Sequence, residues 1–190
     1  MTISLRALSV AAVLSFGALT GTAAFAQDNP MVGGAAMFAD KNIVENAVNS
    51  ADHTTLVAAV QAAGLAETLS GPGPFTVLAP VNAAFDALPA GTVETLLKPE
   101  NKDQLTQILT CHVIPAKALS TDIVGMVEAD GGEHVVDTVG GCKLTLKAAD
   151  GKVTVTDENG TVANVTIADV IQSNGVIHVI DAVLTPKSAM

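Results

Sequence analysis

Gly73-Pro74-Phe75-Thr76-Val77-Leu78-Ala79-Pro80-Val81-Asn82-Ala83-Ala84-Phe85 and Asn174-Gly175-Val176-Ile177-His178-Val179-Ile180-Asp181 are the two stretches on which the fold turns. In the first, the run Ser70-Gly71-Pro72-Gly73-Pro74 cannot continue a helix, because two prolines remove backbone donors and the glycines favour turns. It delivers the chain into a short buried strand over 75–79, read from its aromatic and β-branched content, and Pro80 ends that strand. Asn82 suits a turn or a cap, after which Phe85 and Leu88 share one helical face and read as core. In the second stretch, His178 alternates with Ile177 and Val179 and so points to the opposite face of a strand. Thr76, Asn82 and His178 are polar groups among apolar neighbours. Buried polar groups must be hydrogen-bonded, so they are expected to tie the first strand to the last.

Outward from these stretches the chain divides into a helical half and a stranded half. Ile43, Val44, Ala47 and Val48 make one stripe of a helix within 40–50, and Leu56, Val57, Val60 and Ala63 continue such a stripe over 53–69, with Gly64 as a weak point. Short helices are expected over 82–88, 92–97 and 101–109, punctuated by Pro89, Gly91 and Pro99. From Cys111 the period shifts toward two, and six strands are expected over 112–114, 133–139, 142–146, 153–156, 162–170 and 176–184. Asp122-Ile123 reads as a solvated turn, and Asp157-Glu158-Asn159-Gly160 as a solubilising hairpin tip. Helices first and strands afterwards argue an α+β fold.

Residues 1–26 have Arg6 as their lone charge, then an apolar stretch, then Ala24-Phe25-Ala26. This is the layout of a signal peptide cleaved after Ala26. Residues 27–37 show no clear period and read as a flexible lead-in, 38–186 as a single domain, and 187–190 as a tail. The chain's 9 Lys and Arg against 19 Asp and Glu give a formal charge of −10. Its only Arg lies in the leader, so the secreted surface is acidic and has no guanidinium forks. Phosphate neutralisation supplies most nucleic-acid affinity, so a nucleic-acid partner is excluded. No membrane insertion is expected, and the protein is read as a monomer in the periplasm or outside the cell. Two cysteines, Cys111 and Cys142, remain after cleavage, and in an oxidising compartment they are expected to pair. The alternative is two buried thiols.

The two opening stretches resemble, in order and spacing, the first and second signatures of the fasciclin domain, and Leu109-Thr110-Cys111-His112-Val113-Ile114-Pro115 resembles the family's middle segment. The resemblance spans about 38–186. It implies a wedge with a β-sandwich-like core of about seven strands flanked by short helices, and a role in adhesion or extracellular binding without catalysis. The positions matching the signatures are Thr76, Pro80, Asn82, Phe85, Asn174, Gly175 and His178. Integrin-binding members of the family use an Asp-Ile pair together with a Tyr-His segment. By position Asp169-Val170 and Cys111-His112 stand there, with Val for Ile and Cys for Tyr. The resemblance thus marks Asp169, Val170 and His112 as the partner-binding candidates, toward a cell-surface or matrix protein or a glycan.

A catalytic reading needs a nucleophile with a base, paired carboxylates, a metal cluster or a phosphate loop. His53, His112, His134 and His178 show no metal-ligand spacing, and Gly71-Pro72-Gly73-Pro74 lacks the N–H groups of a phosphate cradle. No enzyme activity, cofactor or metal is therefore expected. The rival readings are a small-ligand carrier or hydrolase on the same scaffold, or a structural envelope component.

Overall fold

The computed structural model describes residues 29–149 and 151–187. The leader and residues 188–190 of the tail lie outside the described residues. Of the stretch read as a lead-in, residues 29–37 are described, and they carry a short hairpin. Met31–Val32 (β1) and Ala35–Ala36 (β2) pair as a hairpin turned by Gly33-Gly34, both at positive φ. Val32 and Met37 are buried in the helical core. Strands of two residues are too short to show a period, so their alternation left no trace in the sequence.

Three helices follow. Ile43–Ala47 (α1) starts on a reciprocal cap, in which Asn42 Oδ1 accepts from Glu45 N and Glu45 Oε2 accepts from Asn42 N, each at 2.9 Å. The second expected helix is divided at Gly64-Leu65 into Thr54–Ala63 (α2) and Ala66–Ser70 (α3). Then come Phe75–Pro80 (β3), Asn82–Asp86 (α4), Thr92–Leu96 (α5), Lys102–Cys111 (α6) and Val113–Ile114 (β4). Ser120–Ala129 (α7) was not expected as a helix. Gly125 and the β-branched Ile123-Val124 hide it, yet Ile123 and Val127 bury one face of it against the sheet. Asp122, read as a solvated turn residue, accepts from Leu119 N at 3.0 Å and so closes the helix's first turn. The remaining strands are His134–Asp137 (β5), Lys143–Ala149 (β6), Lys152–Thr156 (β7), Val162–Gln172 (β8) and Gly175–Ile180 (β9).

The fold is α+β, and its main sheet has seven strands in the order β4-β3-β9-β8-β7-β6-β5. Only β3 and β9 run parallel. One face of the β3–β9 pair, with Val77, Ala79, Ile177 and Val179, packs against α1, α2 and α6. The other face, with Leu78 and Ile180, shares a second core with Leu144, Leu146, Val153 and Val155 from β6 and β7 and with Ile123 and Val127 of α7. The sheet therefore wraps over on itself, nearly into a barrel. Its two edges meet. Val139 N donates to Val113 O at 2.8 Å, Gly140 N donates to Thr110 O at 3.0 Å, and beside them Cys111 and Cys142 form a disulfide with Cα atoms 5.4 Å apart.

Candidate functional site

The parallel register pairs Phe75 with Gly175 and Pro80 with Ile180, so the two opening stretches of sequence lie side by side as the second and third strands of the sheet. Gly175 is required by that approach, since a Cβ there would meet Phe75 O at 2.1 Å. Asn174, one residue earlier, holds three segments. Its Oδ1 accepts from Ile43 N at 3.0 Å, and its Nδ2 donates to Leu69 O at 2.7 Å and Gly71 O at 3.0 Å. Thr76 and His178 are buried and hydrogen-bonded as expected, but they do not tie the two strands to each other. Both reach the segment before α7. Thr76 Oγ1 donates to Ala116 O at 2.6 Å and accepts from Ala118 N at 2.9 Å, while His178 Nε2 meets Ala118 O at 2.8 Å. Asn82 serves a helix other than its own. Its Oδ1 accepts from Thr55 N at 3.0 Å at the start of α2, and its Nδ2 donates to Ala51 O at 2.9 Å. Phe85 is buried, as its core reading required, and Pro80, read as ending the strand, is the buried last residue of β3.

Asp169 sits where the β8–β9 register slips, with φ at 58°, the only positive φ at a residue other than glycine among the described residues. A left-handed backbone at a side-chain-bearing residue is strained, and Asp is among the few types that tolerate it. What holds it is a ring of hydrogen bonds. Asp169 N donates to His178 Nδ1 at 3.3 Å, Asp169 Oδ1 accepts from Ser120 N at 2.6 Å, and Ser120 Oγ donates to Asp169 Oδ2. Because His178 Nδ1 accepts, its proton sits on Nε2 and is donated to Ala118 O. Burial pushes the His178 pKa down, against the opposing pull of the Ala118 carbonyl and the Asp169 carboxylate, so the neutral form is the structural one. Asp169 also places a carboxylate at the N-terminus of α7, where the helix dipole favours it.

His112 caps a different corner. Its Nδ1 donates to Ile108 O at 2.8 Å and its Nε2 accepts from Leu184 N at 3.0 Å. It is 2% exposed, and burial lowers its pKa to about 4 despite the Ile108 carbonyl and the nearby Asp157. The three partner-binding candidates are thus not presented together as a surface. Val170 and His112 are buried, and the Asp169 carboxylate, half-buried, is engaged with Ser120. Asp157, read as a solubilising tip, is also buried. Its Oδ1 accepts from Asn159 N at 2.9 Å and Thr161 N at 2.8 Å, and its Oδ2 accepts from Thr185 N at 2.9 Å. The turn is pinned to the chain's C-terminal segment by that one carboxylate.

A cavity of about 310 Å³ opens beside this corner, between α4, α5, α6 and residues 183–185. Sequence reasoning missed it, because its walls come from segments far apart in the chain, from Pro80 to Thr185, and no one of them carries the signal of a pocket. Among the described residues, no group of His, Cys, Asp and Glu is arranged to hold a metal ion, and no helix is long and apolar enough to cross a membrane.

The profile of the fasciclin domain matches residues 51–186, well over half of the chain. The chain belongs to the fasciclin domain family. Among its relatives, Protein sll1483 of Synechocystis sp. is 47% identical over 189 residues, covering 94% of this chain and 98% of that one. Transforming growth factor-beta-induced protein ig-h3 of Sus scrofa is 40% identical over 133 residues, 70% of this chain and 17% of that larger protein. Among solved structures, a fasciclin (FAS1) domain pair from the insect cell adhesion molecule fasciclin I superposes with a TM-score of 0.53 at 25% identity, over 66% of this chain and 42% of that one. This fasciclin domain is therefore related to proteins of cell adhesion. The Phe75–Pro80 and Gly175–Ile180 strands on which the family resemblance rested lie inside the matched region and pair with each other in the sheet.

Proposed function

We propose that the protein is exported and works outside the cytosol as a non-catalytic adhesion or binding module, contacting a cell-surface or matrix protein or a glycan. The observation that carries this reading is the likeness to a domain pair whose source is a cell adhesion molecule. The Cys111–Cys142 disulfide supports the location, since such bonds persist in oxidising compartments. The internal use of Thr76, His112, Asn174 and His178 supports the non-catalytic part: these polar groups hold segments of backbone in place. Asp169 and His112 then contribute to partner contact by shaping the surface they support, with α7 resting on Asp169 and the C-terminal segment on His112.

The test is attachment of cells to surfaces coated with the protein lacking residues 1–26, alongside heat-unfolded protein and the Asp169→Ala and His112→Ala variants. Attachment that needs the fold, and that falls in the variants only in proportion to their unfolded fraction, is expected. Attachment no better than to the unfolded control would refute an adhesion role. Loss in a fully folded Asp169→Ala protein would instead place Asp169 in the contact itself.

A further inference from the structure

Two small apolar spaces and a larger one lie around the helical side of the sheet, and the larger differs in kind. Those among α1, α2 and the sheet hold about 40 and about 30 Å³, the scale of packing imperfection. The third, about 310 Å³, is a cleft far larger than these and reaches the lower end of the range found for small-molecule sites. Its walls are Phe85 and Leu88 from α4 and the turn after it, Leu96 from α5, Leu105 and Ile108 from α6, and Val183. No Lys, Arg, Asp or Glu lines it.

Its polar corner is built. Thr161 and Thr185 both line the cavity, and both are placed by Asp157, which accepts Thr161 N on Oδ1 and Thr185 N on Oδ2. Thr185 Oγ1 donates to Asp157 Oδ2 at 3.3 Å and accepts from Asn159 Nδ2 at 3.0 Å, so its donor is used inside the protein. Thr161, the other threonine of this corner, lines the cavity too and brings the second hydroxyl to it. Charge selects the guest. An anion brought to this corner meets the buried Asp157 carboxylate across a low-dielectric gap. A cation sheds its hydration into a wall that offers no carboxylate, only the Phe85 ring and the His112 imidazole, whose two nitrogens are already bonded to Ile108 O and Leu184 N.

We propose that this cavity is a binding site for a neutral, mainly apolar molecule with a single hydrogen-bonding head, such as a medium-chain alcohol, its chain among Leu88, Leu96 and Ile108 and its head at Thr161 and Thr185. The site is independent of the adhesion reading and survives its failure.

The probe is N-phenyl-1-naphthylamine, a neutral fluorophore that brightens in apolar surroundings, titrated into the purified protein lacking residues 1–26 and displaced by 1-decanol or by decanoate. Saturable brightening is expected, with decanol displacing the probe at about tenfold lower concentration than decanoate, a gap of about 1.4 kcal/mol. Leu96→Trp and Thr92→Phe each fill the cavity from α5, and either one, if folded by circular dichroism, should abolish brightening. Thr161→Val should keep the brightening and erase the preference for the alcohol, a change that loss of stability alone would not produce. No saturable brightening, or brightening that survives a folded filling variant, would overturn the site. Equal displacement by decanoate would overturn the ligand class.

Discussion

The two halves of the sheet are held by different means. Around β3 and β9 the inner residues include Thr76 and His178, whose side chains bond backbone 40 and 60 positions away in the sequence. Around β6 and β7 the inner face is aliphatic, with Leu144, Leu146, Val153 and Val155 in one core and no buried polar side chain among them. The first half places loops, because a directional bond fixes a backbone group in one position, whereas apolar contact fixes only an average distance. The second half closes the structure. Strand alternation and tight turns set its register, and its far edge is returned to β4 by two backbone hydrogen bonds and the disulfide.

Cutting the covalent link between the halves should give the largest effect. The disulfide spans 31 positions, and in the chain-entropy account a loop of that size stabilises the fold by about 3–4 kcal/mol. The double variant Cys111→Ala/Cys142→Ala should lose that much in urea unfolding, with the first exchange of amide protons appearing in β5. A loss below about 1 kcal/mol would mean that packing and the two edge hydrogen bonds hold the halves together without it.

Acid should attack the polar half next. His112 binds its proton near pH 4 when folded and near 6.5 when unfolded, so the unfolded chain takes up more protons in between. Stability is therefore full above about pH 6.5 and is lost as pH falls through about 4, by about 3 kcal/mol for this residue. His53 and His178 are lowered by burial too and add with the same sign. The wild-type unfolding midpoint should fall steeply between about pH 6.5 and about pH 4, and His112→Gln should be weaker at neutral pH but flatter across that interval. Parallel pH curves for the two proteins would remove His112 from the acid response.

Legibility in the sequence followed the same division. The hairpin half was readable because period-two alternation and Asp157-Glu158-Asn159-Gly160 are local signals, and β4 to β9 fall on the six expected strands. The disulfide was readable because two cysteines allow one intramolecular pair. The polar half was readable only in part. Thr76 and His178 announced themselves as buried polar groups, but their common target, the peptide groups around Ala118, carries no side-chain signature. Asp157 was misread for a related reason: its local sequence describes a solvated turn, and nothing nearby says that Thr185 returns to cover it. α7 was lost because Gly125 and two β-branched residues lower its propensity, while the apolar face that stabilises it is supplied by the sheet.

The smallest effect sharpens the comparison most. Thr76→Val keeps the shape of a buried side chain in β3 while removing one hydroxyl, and so leaves Ala116 O and Ala118 N without their partner. An unsatisfied buried pair of this kind costs about 1–3 kcal/mol, less than the disulfide but with a different signature. If polar bonds place loops, the variant should raise amide exchange around residues 116–120 and at the start of α7 while β6 and β7 remain protected. Val153→Thr in β7 is the mirror experiment, since it puts a hydroxyl where the aliphatic half has no partner for it. That change should destabilise the whole domain cooperatively and leave no local signature before α7. If both variants instead loosen the structure uniformly, the two halves form one cooperative unit, and the distinction between clamping and packing describes geometry without describing energetics.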